Sequence, residues 1–221
     1  MVVERDGVPF RIVDTAGMRK RSVVHEDIEY YSMVRGLRAI DEADVCLLVV
    51  DSSEGMTEQD QKIAGLAIER GCALVVLLNK WDLAYTDRKR EECLMSVDRR
   101  LDFAPWAPRL RISALTGRSV DKIWALVAQV CENRSRQVPT SALNDLLQRL
   151  RETGHTVSRD RKRLRIMYGT QTGTKPPVFA FFCNYPEVVD DNFRRYLENR
   201  LRENFDLEGT PVRLRFRRKD S

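Results

Sequence analysis

Four consecutive residues, Asn79-Lys80-Trp81-Asp82, carry the most specific chemistry in the chain. A carboxylate at position 82 can accept two hydrogen bonds side by side, which matches the N1–H and exocyclic amine of guanine. Adenine offers no such pair of donors. The Asn79 amide can bond the other edge of the same base, and the Lys80 stem can lie flat along its face. A second group, Asp14-Thr15-Ala16-Gly17, has the residue types of a phosphate end. Asp14 would reach a Mg2+ ion through water. Gly17 would bring its backbone N–H close to a terminal phosphate, because no Cβ stands in the way. Ser113-Ala114-Leu115 closes a further apolar run. Two basic sets remain: Arg161, Lys162, Arg163 and Arg165, and the alternating Arg213, Arg215 and Arg217. They form either a solvated sheet face or a groove that neutralises RNA phosphates.

These groups need elements to hold them. Ala73–Leu78 is a short, unbroken apolar run, the pattern of a strand buried on both faces of a parallel sheet. Asn79 follows at its carboxyl end, where open α/β sheets bind ligands. Ala43–Val50, ending at Asp51, and Leu110–Ile112, ending at Ser113, repeat the pattern. Val2–Glu4 and Phe10–Val13 flank Asp6-Gly7, a hairpin signal that leads into Asp14. Helices are predicted over Glu26–Ile40, Thr57–Arg70, Asp87–Leu101 and Val120–Glu132. Thr57 and Asp60 form a capping box, and Gly71 stops that helix. Alternating strands and helices predict a doubly wound α/β fold.

Asn133–Thr140 reads as a polar connector. After it, Ser141–Glu152 and Asp190–Phe205 read as amphipathic helices, with Phe193, Leu197, Leu201 and Phe205 on one face of the second. Gly154–Arg163 reads as a polar loop. Leu164–Tyr168 alternates Leu164, Ile166 and Tyr168 with Arg165 and Met167. Val178–Cys183 and Val212–Arg217 complete the strands, the last with its apolar side toward the helices and three arginines opposite. The order predicts a small α+β domain with its helices on one face.

Charge separates the two parts. Residues 139–221 hold 17 Lys/Arg against 11 Asp/Glu, while the whole chain carries a net +5, so the basic excess lies entirely in the C-terminal third. That asymmetry points to an anionic partner there, nucleic acid first. No apolar run approaches a membrane span and no secretory leader is recognisable. The five cysteines are scattered and include no Cys-x-x-Cys pair, which predicts free thiols in a reducing cytoplasm.

Asp14-Thr15-Ala16-Gly17, Asn79-Lys80-Trp81-Asp82 and Ser113-Ala114-Leu115, in that order, resemble the third, fourth and fifth motifs of the Ras-like GTPases. Asp14–Gln61, with Tyr31-Ser32-Met33 and Glu54–Gln61, resembles the second GTPase domain of the bacterial EngA/Der family. Tyr168-x-Thr170-Gln171-x-Gly173-Thr174-x-Pro176-Pro177, Arg194–Asn199 and Glu208–Leu214 are similar to its KH-like domain. The resemblance implies a Ras-like P-loop GTPase fold over 1–138, with a mostly parallel sheet, and an α+β KH-like domain over 139–221. It implies GTP/GDP and Mg2+ as ligands, slow GTP hydrolysis, and a cytoplasmic, ribosome-associated role in assembling the large ribosomal subunit on its rRNA. Asn79 and Asp82 would read guanine beside Lys80, and the Ala114 N–H would meet the guanine O6. Asp14 would serve Mg2+ and Gly17 the γ-phosphate. Met18 stands where Ras-like enzymes carry a water-orienting Gln, and a thioether cannot orient water.

The chain departs from the family in one respect. It contains no Gly-x-x-x-x-Gly-Lys-Ser/Thr phosphate loop, and Gly169–Pro176, the nearest stretch, reads as a loop between strands. The expectation is an N-terminally truncated member, without the family's first GTPase domain and the strand before the phosphate loop. Residues 10–13 and 43–50 would then lack a shared neighbour, leaving backbone and apolar faces open. Two functions follow: a GTP-hydrolysing assembly factor lacking part of its site, or a catalytically inactive rRNA-binding chain that acts through the KH-like domain. No Gly-x-x-Gly clamp of the usual KH type is present.

Overall fold

The computed structural model of the chain describes residues 1–5, 7–13, 38–84, 86–152, 157–159 and 161–219. Asp14, Thr15, Ala16, Gly17, Met18 and most of the helix expected over 26–40 lie outside them; residues 38–42 are helical. Contacts divide the chain into two units, Met1–Gln129 and Val130–Ser221. No helix among the described residues is long and apolar enough to cross a membrane.

In the first unit, β1 (Val2–Arg5) and β2 (Val8–Arg11) form an antiparallel hairpin turned at Gly7, φ 76°. Phe10 packs on Trp124 with ring centroids 5.3 Å apart. A separate parallel sheet runs β3 (Val45–Asp51), β4 (Ala73–Asn79), β5 (Arg109–Arg111), in that spatial order. β2 and β3 therefore do not share a sheet. Among the described residues β3 pairs only with β4, and its Leu47 and Val49 are exposed.

Ala73 through Leu78 are all buried, which is why their sequence shows no alternation. Helix α1 (Glu58–Glu69) starts with the expected box: Thr57 Oγ1 accepts from the Asp60 N–H, and Asp60 Oδ2 accepts from the Thr57 N–H at 2.9 Å. Helices α2 (Asp87–Arg100) and α3 (Lys122–Ser135) complete the unit's pattern. The parallel register sets Asp51 beside Asn79 at the carboxyl ends of β3 and β4.

The division between units falls inside α3, ahead of the polar connector. Its last turns are held by the C-terminal unit: Asn133 Nδ2 donates to the Glu208 carbonyl at 3.1 Å, and Gly209 lies against Val130. That unit contains α4 (Thr140–Glu152), β8 (Ile166–Gly173), β9 (Val178–Cys183), α5 (Asp191–Asn204) and β10 (Arg213–Arg218). The sheet order is β10-β9-β8, parallel on the β10 side and antiparallel on the β8 side. Both helices pack on one face, where Leu143, Leu147, Phe179, Phe181, Leu197 and Leu201 form the core. A fully buried Phe such as Phe179 contributes about 2–3 kcal/mol.

Several local expectations change in this unit. Residues 154–163 are not simply loop: β6 (Ser158–Arg159) and β7 (Lys162–Arg163) make a short hairpin turned at Arg161, φ 63°. The third element also starts later than expected, because Leu164 and Arg165 precede β8. Within β8 the register against β9 shifts between Ile166 and Tyr168. Ile166 pairs Cys183 on the core side, whereas Tyr168 pairs Phe182 on the opposite face. The bulge turns Tyr168 away from Ile166, with which the sequence had grouped it. Residues 169–173, expected as loop, are the end of β8.

Candidate functional site

The site grows from two adjacent parallel strands. β4 delivers Asn79, Lys80, Trp81 and Asp82; the chain leaving β5 delivers Ser113, Ala114 and Leu115. Backbone bonds tie the two exits together, from the Ile112 N–H to the Leu78 carbonyl at 2.9 Å and from the Trp81 N–H to the Ile112 carbonyl at 3.0 Å. Asn79 Oδ1 accepts from the Ala114 N–H at 2.9 Å. The structure thus joins both expected groups, but the Ala114 N–H already has an acceptor. To meet a base carbonyl it would exchange one acceptor for another. Ser113 is fully buried and accepts from the Thr116 N–H through Oγ, a turn-holding role. Leu115 is 88% exposed. Trp81 is buried, with the Arg111 guanidinium 5.0 Å from its ring centroid, so it anchors the loop.

Two features make this loop more than a polar connection. Asp82 Oδ1 is buried and has no hydrogen-bond partner, a cost that a ligand donor would remove. Lys80 takes a left-handed backbone, φ 59°, and its ammonium lies 2.5 Å from Asp51 Oδ2. Asp51 is almost wholly buried and also accepts from the Ser53 hydroxyl at 2.7 Å and the Ser53 N–H at 3.0 Å. Burial pushes the Asp51 carboxyl up, but Lys80 and Ser53 outweigh it and hold the group below the usual carboxylate range. Asp51 was the residue sequence reading missed. Its only signal was a lone carboxylate at a buried strand's carboxyl end.

Chemically the loop presents a buried carboxylate acceptor, the Asn79 amide and an aliphatic Lys80 stem, a set that suits a guanine base. Asp14, the expected Mg2+ carrier, and Gly17, the expected phosphate contact, lie outside the described residues. Among the described residues no cluster of His, Cys, Asp or Glu is placed to hold a metal.

The basic candidates fall into two places. Arg161 is exposed at the β6–β7 turn, and Lys162 is paired with Glu187 at 3.1 Å. Arg163 and Arg165 are exposed beside a cavity of about 500 Å³ lined also by Leu147, Leu150, Phe193 and Tyr196. Arg213, Arg215 and Arg217 stand exposed on β10, while Leu214 and Phe216 pack inward. Only this second set has strict alternation.

Comparison with known proteins agrees with this layout. Residues 3–157 match the family described as the elongation factor Tu GTP binding domain. Residues 137–217 match the KH-domain-like C-terminal region of EngA bacterial GTPase enzymes. The chain is 43% identical over 219 residues to the protein named GTPase Der of Halothermothrix orenii, covering 99% of this chain and 50% of that protein. Against GTPase Der of Heliobacterium modesticaldum it is 44% identical over 218 residues, 98% of this chain and 49% of that one. The chain spans about half the length of the curated relatives it matches. Among solved structures, the apo form of translation elongation factor SelB from Methanococcus maripaludis aligns at 20% identity and TM-score 0.48, covering 60% of this chain and 27% of that one. An α/β unit of the Ras-like P-loop GTPase class joined to the EngA-type KH-like region means that this chain belongs to the EngA/Der family.

Proposed function

We propose that the first unit recognises guanine nucleotides and that the second contacts ribosomal RNA, together serving assembly of the large ribosomal subunit in the cytoplasm. The observation that carries the nucleotide reading is the buried, unpartnered Asp82 Oδ1 beside Asn79 and Lys80 at the end of a parallel strand. Guanine supplies the donors that this carboxylate lacks. The relatives' name, GTPase Der, supports GTP as the nucleotide, with Mg2+ as its usual companion. Asp14, Thr15, Ala16 and Gly17 are the proposed phosphate and Mg2+ residues on the family resemblance. The Asn79–Asp82 and Ser113–Leu115 loops are the proposed base residues.

The test is nucleotide preference, measured by calorimetry on the whole chain with GDP, ADP and XDP. GDP should bind better than ADP, and Asp82→Asn should move preference from GDP to XDP, because an amide can meet the carbonyl that xanthine places at position 2. Equal binding of GDP and ADP, or no movement in the variant, refutes the pocket.

A second reading has its own support. The 221 residues contain no glycine-rich phosphate loop, so RNA contact through the C-terminal unit could be the working function without catalysis. RNA binding with no detectable guanine nucleotide binding would favour it.

A further inference from the structure

The open face of the β8–β9–β10 sheet carries more than arginines. Pairing places Arg217, Phe182 and Tyr168 in one row across the three strands, and Arg215, Ala180 and Thr170 in the next. Arg213 and Val178 begin a third. Tyr168 and Phe182 stack nearly parallel, with ring centroids 4.4 Å apart and planes 6° apart. Tyr168 is a large aromatic on the edge strand β8 and is 39% exposed. Lys219 holds its ammonium 6.0 Å from the Tyr168 ring centroid. None of this serves the core, which lies on the other face with Phe179 and Phe181.

We propose that this face binds single-stranded RNA, with a base stacked on Tyr168 and the backbone following Arg213, Arg215 and Arg217. The proposal rests on the reading of the C-terminal unit as the RNA-contacting part, and assigns the mode and the residues. Three physical points carry it. An exposed aromatic backed by a second ring is a flat, pre-ordered surface that any base can cover. Arginines at alternate strand positions repeat every 6.7 Å or so, a spacing suited to successive phosphates of an extended strand. Single strands offer unstacked bases, whereas the bases of an A-form duplex are already stacked on one another. Charge complementarity favours a polyanion, since Arg215 and Arg217 face solvent and no described carboxylate pairs with their side chains.

The experiment is anisotropy of the whole chain with a short labelled oligouridine at several salt concentrations. The logarithm of affinity should fall against the logarithm of salt with a slope of about −2 to −3. Tyr168→Ala should weaken binding about tenfold, and Tyr168→Phe should leave it unchanged. Arg215→Gln with Arg217→Gln should flatten the slope by about 1 to 1.5. Duplex RNA of the same length should compete poorly. Thermal melts of each variant exclude unfolding as the cause. If Tyr168→Ala binds like the wild type, or the duplex competes equally, the stacking face is wrong. If polyglutamate displaces the RNA at matched charge, the face is a dock for acidic protein and the proposal falls. Binding that responds instead to Arg161→Gln and Arg163→Gln removes this face but keeps an RNA-contacting unit. No RNA binding at all removes both.

Discussion

Asp82 and Asp51 are two carboxylates about one strand end that do opposite jobs. Asp82 keeps a buried oxygen without a partner, the state expected of a group waiting for a ligand, and it is the position where a single substitution should change base preference. Asp51 is saturated by Lys80 and Ser53 and holds the lysine against the strand end. Its depressed pKa gives a signed prediction. A carboxylate ionises near pH 4 in an unfolded chain and lower here, so its contribution is present above about pH 4 and is lost as pH falls through the folded value. Urea unfolding of wild type and Asp51→Asn should therefore differ at pH 7, and the difference should shrink as pH falls below about 4. A difference that does not shrink would show that Asp51 acts through packing. Lys80 is half exposed, so solvent screens the pair and the effect should be modest.

At the scale of elements, the C-terminal unit depends on close contacts that only small residues allow. Gly209 has φ 77°, and a Cβ there would lie 2.5 Å from Val130 Cγ2 on α3. Gly209→Ala should cost about 2–4 kcal/mol, combining the left-handed penalty with overpacking. Gly117 has the same φ but nothing within 4 Å of its ideal Cβ, so Gly117→Ala should cost only about 1–2 kcal/mol. Chemical denaturation of both variants, and of Gly209→Ala combined with Val130→Ala, separates the two terms. If Val130→Ala recovers nothing, the contact between α3 and the Leu207–Thr210 turn is not what holds Gly209. Arg202 belongs to the same turn: its guanidinium bonds Glu198 at 2.7 Å and the Leu207 and Thr210 carbonyls at 2.6 and 3.0 Å. A fork of donors fits that three-way contact and an ammonium does not.

For the whole molecule, the proposed base contacts and the proposed phosphate contacts fall on different parts of the chain. The proposed guanine-edge groups follow β4 and β5, and the 221-residue sequence contains no Gly-x-x-x-x-Gly-Lys-Ser/Thr stretch. If the proposed Asp14–Gly17 residues contact the phosphates and Mg2+, GDP and GTP should bind more tightly than GMP, and only with Mg2+ present. Calorimetry with the three nucleotides checks this. Binding of all three within about threefold of one another would leave base recognition alone. The proposed RNA face of the C-terminal unit would have its own salt dependence, so nucleotide and RNA binding can be tested independently on one protein.

Local chemistry was legible in the amino-acid order. The Ala73–Leu78 run, the Thr57–Asp60 cap, the alternation on β10 and the turn at Asn79–Asp82 that follows β4 all depend on neighbours within a few residues, and each took the expected local form. Partner strands decided the rest. The register of β9 placed the bulge that sends Tyr168 to the open face, and the register of β3 against β4 brought Asp51 to Lys80. The exit of β5 engaged the Asn79 amide through Ala114. Periodicity reports which residues share a face only while a strand stays in register, so a one-residue slip set by a distant strand cannot be read from the sequence itself.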